Sequence, residues 1–381
     1  MREVFYIAGF DPRSPKYYYS IFKNNIHKTS AIEQNELNIS KFQIDNSPYF
    51  NVDYKGVKTK YNFLIWNDIV KEHFCKRFFE VFGALFVALF NYPISGAVYM
   101  VARYSRTQLI AGYYPIVFIL LSYFLTGFFC YGLSYFIQNY ILWIICSILL
   151  FYLATKGIFY LGMNAGMFWL LSIYRFCYKY ARSEIKGADE RNESFANEII
   201  KSLKNNQNTN DEVMIVAHSV GAIIAISSVA RVIEKSKIEG LNISNLKLVL
   251  IGGCIPLVSF HKYADKFKKE LEIVANSGIT WLDFSSKIDG ACFFKVDYIK
   301  LLRQNAKSPK LISVGFFKIY DKKTYKNIRY KWYQVHFLYL KATQIRGGYD
   351  YFYLTIDPNK LEDKKFEGAN DGSLSISPKT A

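Results

Sequence analysis

From Thr107 to Thr155 the sequence carries no aspartate, glutamate, lysine or arginine. A water-soluble domain rarely leaves so long a stretch uncharged, and two segments of about 20 apolar residues fit inside it, each enough to cross a bilayer core as a helix. A membrane-inserted helical hairpin is therefore expected, with spans over about 109–137 and 139–156. Cysteine is also sparse. The six (Cys75, Cys130, Cys146, Cys177, Cys254, Cys292) include no C-x-x-C pair, which argues against a zinc module and a disulfide framework. No metal and no organic cofactor is expected. The first residues lack a signal-peptide core and cleavage site, so nothing is expected to carry the first segment across a membrane.

The charge that is present is uneven. Lys and Arg number 48 against 31 Asp and Glu, a formal net charge of +17. Much of the excess flanks the uncharged run at Lys71, Lys76, Arg77, Arg103, Arg106, Lys156, Arg175, Lys179, Arg182 and Lys186, while the turn near Gln138 and Asn139 is neutral. The positive-inside bias then puts the turn outside and both flanks in the cytoplasm. A nucleic-acid partner is not expected, because no basic, aromatic-interleaved recognition motif appears. The partner to expect is the lipid bilayer; oligomeric state is not readable.

On either side of the hairpin the pattern alternates between strand and helix. Short apolar runs at Val4–Ala8 and 61–66 read as strands, and the Asn- and Lys-rich stretch over about 24–60 as loop with one helix at most. After the hairpin, strands are expected at 212–217, 246–251 and 279–284, separated by an apolar helix from Val220 and a lysine-rich helix around 261–275. Such alternation implies an α/β fold with a mostly parallel sheet covered by helices. The divisions expected are 1–75 and 186–360 for the two parts of one domain, 76–185 for the membrane region, and 361–381 for a disordered tail. Weaker apolar stretches at Val81–Ala102 and Gly157–Ile173 flank the hairpin. They read as interfacial or partly buried helices, because four spans would place Arg103, Arg106 and Lys156 outside.

The sharpest motif is Val213-Met214-Ile215-Val216-Ala217-His218-Ser219-Val220-Gly221, a strand, then small-His-Ser-x-Gly, then a helix. Small residues at Ala217 and Gly221 let neighbouring backbone approach a serine on a strained strand-to-helix turn, and the Val220 amide opens the helix where a developing oxyanion would sit. Here the chain resembles the α/β-hydrolase superfamily in its lipase/esterase-like A-H-S-x-G form, with Ala217 in place of the usual first glycine. The resemblance covers about 1–70 and 185–355 and excludes the hairpin.

It implies a nucleophile, acid, histidine order, with Ser219 first. Of the five histidines, His27 and His73 precede the serine, His218 is its neighbour and would point away, and His261 lacks an aspartate before it. His336 remains as general base. The acid implied is Asp289, in a loop after the strand ending near Phe284, with Asp283 as the other candidate. The second oxyanion donor would be the Phe10 amide, with Gly9 permitting the approach. The hairpin leaves the sheet from the edge that displays Ser219, so the site should lie beside the bilayer.

The expected activity is therefore that of a membrane-anchored serine hydrolase cleaving a lipid-like ester or thioester through an acyl-enzyme, in the inner, cytoplasmic membrane of a bacterium with both termini cytoplasmic. Phospholipase, lysophospholipase, thioesterase and acyltransferase outcomes stay open. The competing class is a non-catalytic membrane scaffold retaining the fold. A transporter or channel is disfavoured, since the two spans carry no ionisable residue to line a path.

Overall fold

The computed structural model describes residues 1–206, 211–304, 306–364 and 366. One nine-stranded sheet organises them: β1 (Arg2–Ile7), β2 (Leu37–Ile39), β3 (Gln43–Ile44), β4 (Pro48–Tyr54), β5 (Val57–Leu64), β6 (Glu212–His218), β7 (Leu246–Ile251), β8 (Thr280–Ser285) and β9 (Lys310–Ser313). The order is β2-β4-β5-β1-β6-β7-β8-β9, with β3 beside β4. All pairs from β5 to β9 are parallel, and β2, β3, β4 and β5 form an antiparallel edge. The chain is thus α/β with a mostly parallel central sheet. β1 lies between β5 and β6, so residues before and after the apolar run build one sheet, and any membrane between them is crossed an even number of times.

The sheet is buried on both faces, as parallel sheets require. On one face Val213, Ile215 and Ala217 of β6 pack under the helices Ala188–Asn205, Gly221–Glu239 and Asp265–Asn276. On the other, Met214 and Val216 meet the helix Pro15–Ile26 and the segment 335–356. The alternation of β6 divides its side chains between these two cores.

Four expectations need correction. The stretch over 24–60 holds β2, β3, β4 and the start of β5: β4 and β5 are joined by Lys55 and Gly56, both left-handed (φ 50° and 77°), the geometry of a tight hairpin turn. Polar residues hid it because only alternate positions of β4, among them Phe50, Val52 and Tyr54, are buried. The apolar helices are Arg106–Leu133 and Tyr140–Asn164, the second running past Lys156. Charge marks where apolar surroundings can end, not where the hydrogen-bond ladder ends. The stretch 157–173 is therefore no single helix; it breaks at Gly166 (φ 69°), and the helix Met167–Ala181 is largely buried inside the protein. The tail does not begin at 361. The Leu361 amide donates to Glu212 Oε1 at 2.8 Å, Lys364 Nζ donates to the Leu354 carbonyl at 3.0 Å, and Phe366 packs edge-on against Phe284. Residues 367–381 lie outside the described residues.

Both Arg106–Leu133 and Tyr140–Asn164 are long and apolar enough to cross a membrane. Their outer faces are covered by nothing in the protein: Leu120, Leu121, Phe124, Phe128 and Phe129 on the first and Ile141, Ile145, Ile148 and Leu149 on the second are exposed. The preceding stretch, Phe78–Ile94 with Ala97–Tyr104, bends by 83°. Val81, Ala84, Leu85 and Ala88 pack there against Leu171 and Phe168.

Candidate active site

β6 ends at His218, and the chain turns at Ser219 into the helix Gly221–Glu239. Ser219 has φ 57°, a left-handed conformation that few residues other than glycine adopt. Two contacts hold it there. Its amide donates to the Ile251 carbonyl at 3.0 Å, extending the β6–β7 ladder by one residue. A Cβ on Gly221 would stand 2.5 Å from the Ala8 carbonyl oxygen and 2.7 Å from that of Ile7, so only glycine lets this helix start against the end of β1. Gly9 touches the turn from the other side: a Cβ there would lie 2.9 Å from Ser219 Cβ and 3.4 Å from Ser219 Oγ. The small residues at Gly9, Ala217 and Gly221 are thus where the backbones of β1 and β6 converge on the serine.

His336 ends the short helix Trp332–His336, and Asp289 sits in the loop after β8. His336 Nδ1 lies 2.9 Å from Asp289 Oδ2 and 3.1 Å from Oδ1, so the carboxylate holds the proton on Nδ1 and leaves the lone pair on Nε2. Asp289 Oδ1 also accepts from the Ala291 amide at 3.0 Å. Burial opposes ionisation of Asp289, but the facing His336 ring and these hydrogen bonds win and hold it below the usual carboxylate range. Asp283 does not reach the histidine; it accepts from Tyr298 Oη at 3.0 Å, and burial pushes its pKa up to about 7.

His336 Nε2 is buried without a hydrogen-bond partner, and Ser219 Oγ faces Cys254 Sγ at 3.7 Å. No hydrogen bond joins serine to histidine in this state. Ser219, Asp289 and His336 are 2%, 1% and 0% exposed, so the cluster is sealed from solvent. Its cover is Trp169 of the helix Met167–Ala181, whose ring centroid lies 5.9 Å from that of His336 and whose indole donates to the Phe10 carbonyl at 2.8 Å. Among the described residues, neither the Phe10 nor the Val220 amide donates to a protein acceptor, although both residues are buried. Buried amides normally find a partner, and these two stand without one among those residues.

His218 makes no hydrogen bond to Ser219 among the described residues and lies against His336 instead. Its ring centroid is 4.7 Å from that of His336, and its Nε2 donates to the His336 carbonyl at 2.9 Å. Burial, with the neighbouring His336, pushes its pKa down to about 3, so it is a neutral donor that fixes the position of His336. Strand alternation could have found this, since His218 falls on the face of Met214 and Val216, where the segment around His336 packs. Trp169 and Cys254 carried no sequence signal. His261 is packed away, with Nδ1 2.7 Å from Ser95 Oγ and its ring edge-on to Tyr92. The described residues contain no cluster of His, Cys, Asp and Glu able to hold a metal.

Comparison with protein-family models, with curated proteins and with solved structures found no significant match to this chain.

Proposed function

We propose that the protein is a membrane-anchored serine hydrolase acting on a lipid-like ester or thioester. The observation that carries this reading is the combination of a left-handed Ser219 at the tip of β6 with a buried Asp289–His336 pair whose Nε2 has no partner. Ser219 is the nucleophile: His336 Nε2 takes its proton as Oγ attacks the acyl carbon, and returns that proton to the leaving group. Asp289 keeps the imidazole in the required tautomer and stabilises the imidazolium. The Phe10 and Val220 amides receive the oxyanion. Water then attacks the acyl-enzyme with His336 as base; a second acyl acceptor in place of water makes the same site an acyltransferase. The α/β-hydrolase likeness of the elbow supports this order of residues. The two apolar helices anchor the protein, and the flanking positive charge supports cytoplasmic termini and an inner-membrane location.

A second reading is a membrane scaffold that keeps the site without turnover; it is favoured by the contact of Ser219 Oγ with Cys254 rather than His336 and by the closed cover. A fluorophosphonate probe on membranes containing the full chain separates the two. Labelling that disappears in Ser219→Ala and falls by about 10⁴ in rate in Asp289→Asn supports the enzyme; unlabelled wild-type protein in folded form supports the scaffold.

A further inference from the structure

Beside the sealed cluster lies a cavity of about 400 Å³, lined among others by Ala111, Tyr114, Trp169, Gly290, Lys331 and Trp332. Its walls come from the helices Arg106–Leu133 and Met167–Ala181, from the loop that carries Asp289 and from the short helix that ends at His336. A Cβ on Gly290 would lie 3.5 Å from Ala111 Cβ, so the loop following Asp289 touches the first apolar helix directly. Tyr114 meets Trp332 edge-on at 6.1 Å, and Trp169 meets Tyr333 in the same way at 5.4 Å. Ala111 and Tyr114 belong to the first turns of the helix that begins at Arg106, which is the headgroup depth of a span starting there. The size is that of a site for one small organic molecule.

Lys331 is the one charged residue among the described residues that line this cavity, and the chain leading to it after Asp321 is basic. From Lys322 to Tyr349 the sequence contains seven basic residues and no acidic one. Lys322, Lys323, Lys326 and Lys331 are exposed, and none of them joins an ion pair among the described residues. Exposed Tyr330, Trp332 and Tyr333 are interleaved with them. Aromatic rings beside free ammonium groups at the foot of a span suit the interface between headgroups and acyl chains, where each basic residue near an anionic surface adds favourable energy.

We infer that this cavity and the lysines of the segment 322–331 form a binding site for one anionic phospholipid drawn from the bilayer, with an acyl chain among Ala111, Tyr114 and Trp332 and the phosphate at Lys331. Trp169, shared by the cavity and the cover of Ser219, is the side chain that must move for the ester to reach the serine. The position of the ester rests on the hydrolase reading; the choice of lipid does not. Full-length protein carrying Ser219→Ala, which cannot consume a substrate, is titrated in detergent with phosphatidylglycerol and with phosphatidylcholine of identical chains, and binding is read by native mass spectrometry. Phosphatidylglycerol is expected to bind about tenfold more tightly. Replacing Lys322, Lys323, Lys326 and Lys331 together by Gln should reduce that preference to under about twofold, and replacing them by Arg should retain it. Dibutanoyl chains should bind more weakly than oleoyl chains. Equal affinity for the two headgroups, or a preference that survives in the Gln variant, overturns the anionic site; affinity independent of chain length removes the cavity from it. Since the protein is read without its serine, these failures are distinct from a failure of probe labelling.

Discussion

Two helices that each open on an uncharged, apolar run meet opposite fates. The helix Gly221–Glu239 buries most of its first three turns under the sheet, whereas in Tyr140–Asn164 only Ile158 and Gly162 are buried. The difference lies in what the chain does just before each. Ser219 and Val220 turn Gly221–Glu239 straight back onto β1 and β6, and its later half carries Arg231, which pairs with Glu270 at 3.1 Å and Asp189 at 2.8 Å. Tyr140–Asn164 follows another long apolar helix through a neutral turn; it packs along that helix and, near its end, through Phe159 against Phe168 and Phe78, and leaves the rest of its surface uncovered. Apolarity says that a surface must leave water; the connection decides whether protein or lipid covers it.

The strongest test of this contrast is Gly221→Val. Its side chain would meet backbone oxygens that cannot yield, so a loss of about 3–5 kcal/mol or failure to fold is expected, read as thermal unfolding in detergent. Gly127→Val in the first apolar helix, where nothing stands within 4 Å, should change stability by less than about 0.5 kcal/mol. Equal tolerance at both would break the claim of close approach.

Next in size is Phe124→Lys. Phe124 is 71% exposed in mid-helix, and if lipid covers it a lysine there costs about 3 kcal/mol of insertion, visible as protein lost from alkali-washed membranes. Ile238 is 85% exposed at the end of Gly221–Glu239, and Ile238→Lys should leave the protein in the membrane fraction with stability within about 0.5 kcal/mol. Matching behaviour of the two variants would mean that both surfaces face water.

The sheet region, unlike the hairpin, buries ionisable side chains, and this sharpens the comparison through pH. Asp283 titrates at about 7 in the folded protein and near 3.8 when unexposed to burial. Between those values the folded state holds a proton that the unfolded state has lost, so stability falls as pH rises from about 4 to 7 and levels off above. Asp283→Asn removes this loss. The variant should gain up to about 4 kcal/mol relative to wild type on going from pH 4 to pH 8, measured by denaturant unfolding at both. A gap between the two proteins that does not vary with pH would show that Asp283 stays ionised.

What could be read in the sequence divides along similar lines. The strand before Ser219, the small residues around it and the helix after it form a local pattern, and the structure places them in one turn. Asp289 and Asp283 could not be separated by spacing, since both follow or end the same strand; the loop path that lays Asp289 on His336 Nδ1 while Tyr298 engages Asp283 is a long-range outcome. The edge strands β2 and β3 escaped because a solvated edge needs no apolar run, and β4 because only its alternate residues, among them Phe50, Val52 and Tyr54, are buried. Trp169 over His336 required the helix Met167–Ala181, which follows the two apolar helices, to fold back across the sheet, which no short pattern encodes.

By itself the sequence determined what local chemistry dictates: an uncharged run that water cannot hold, a period that separates strand from helix, and a serine flanked by residues small enough for a tight turn. Tertiary structure alone decided which carboxylate meets His336, that His218 braces it, and that the cluster is closed by a side chain from the helix Met167–Ala181. Those outcomes depend on backbone paths separated by tens to hundreds of residues, where packing selects one arrangement among many that composition allows equally.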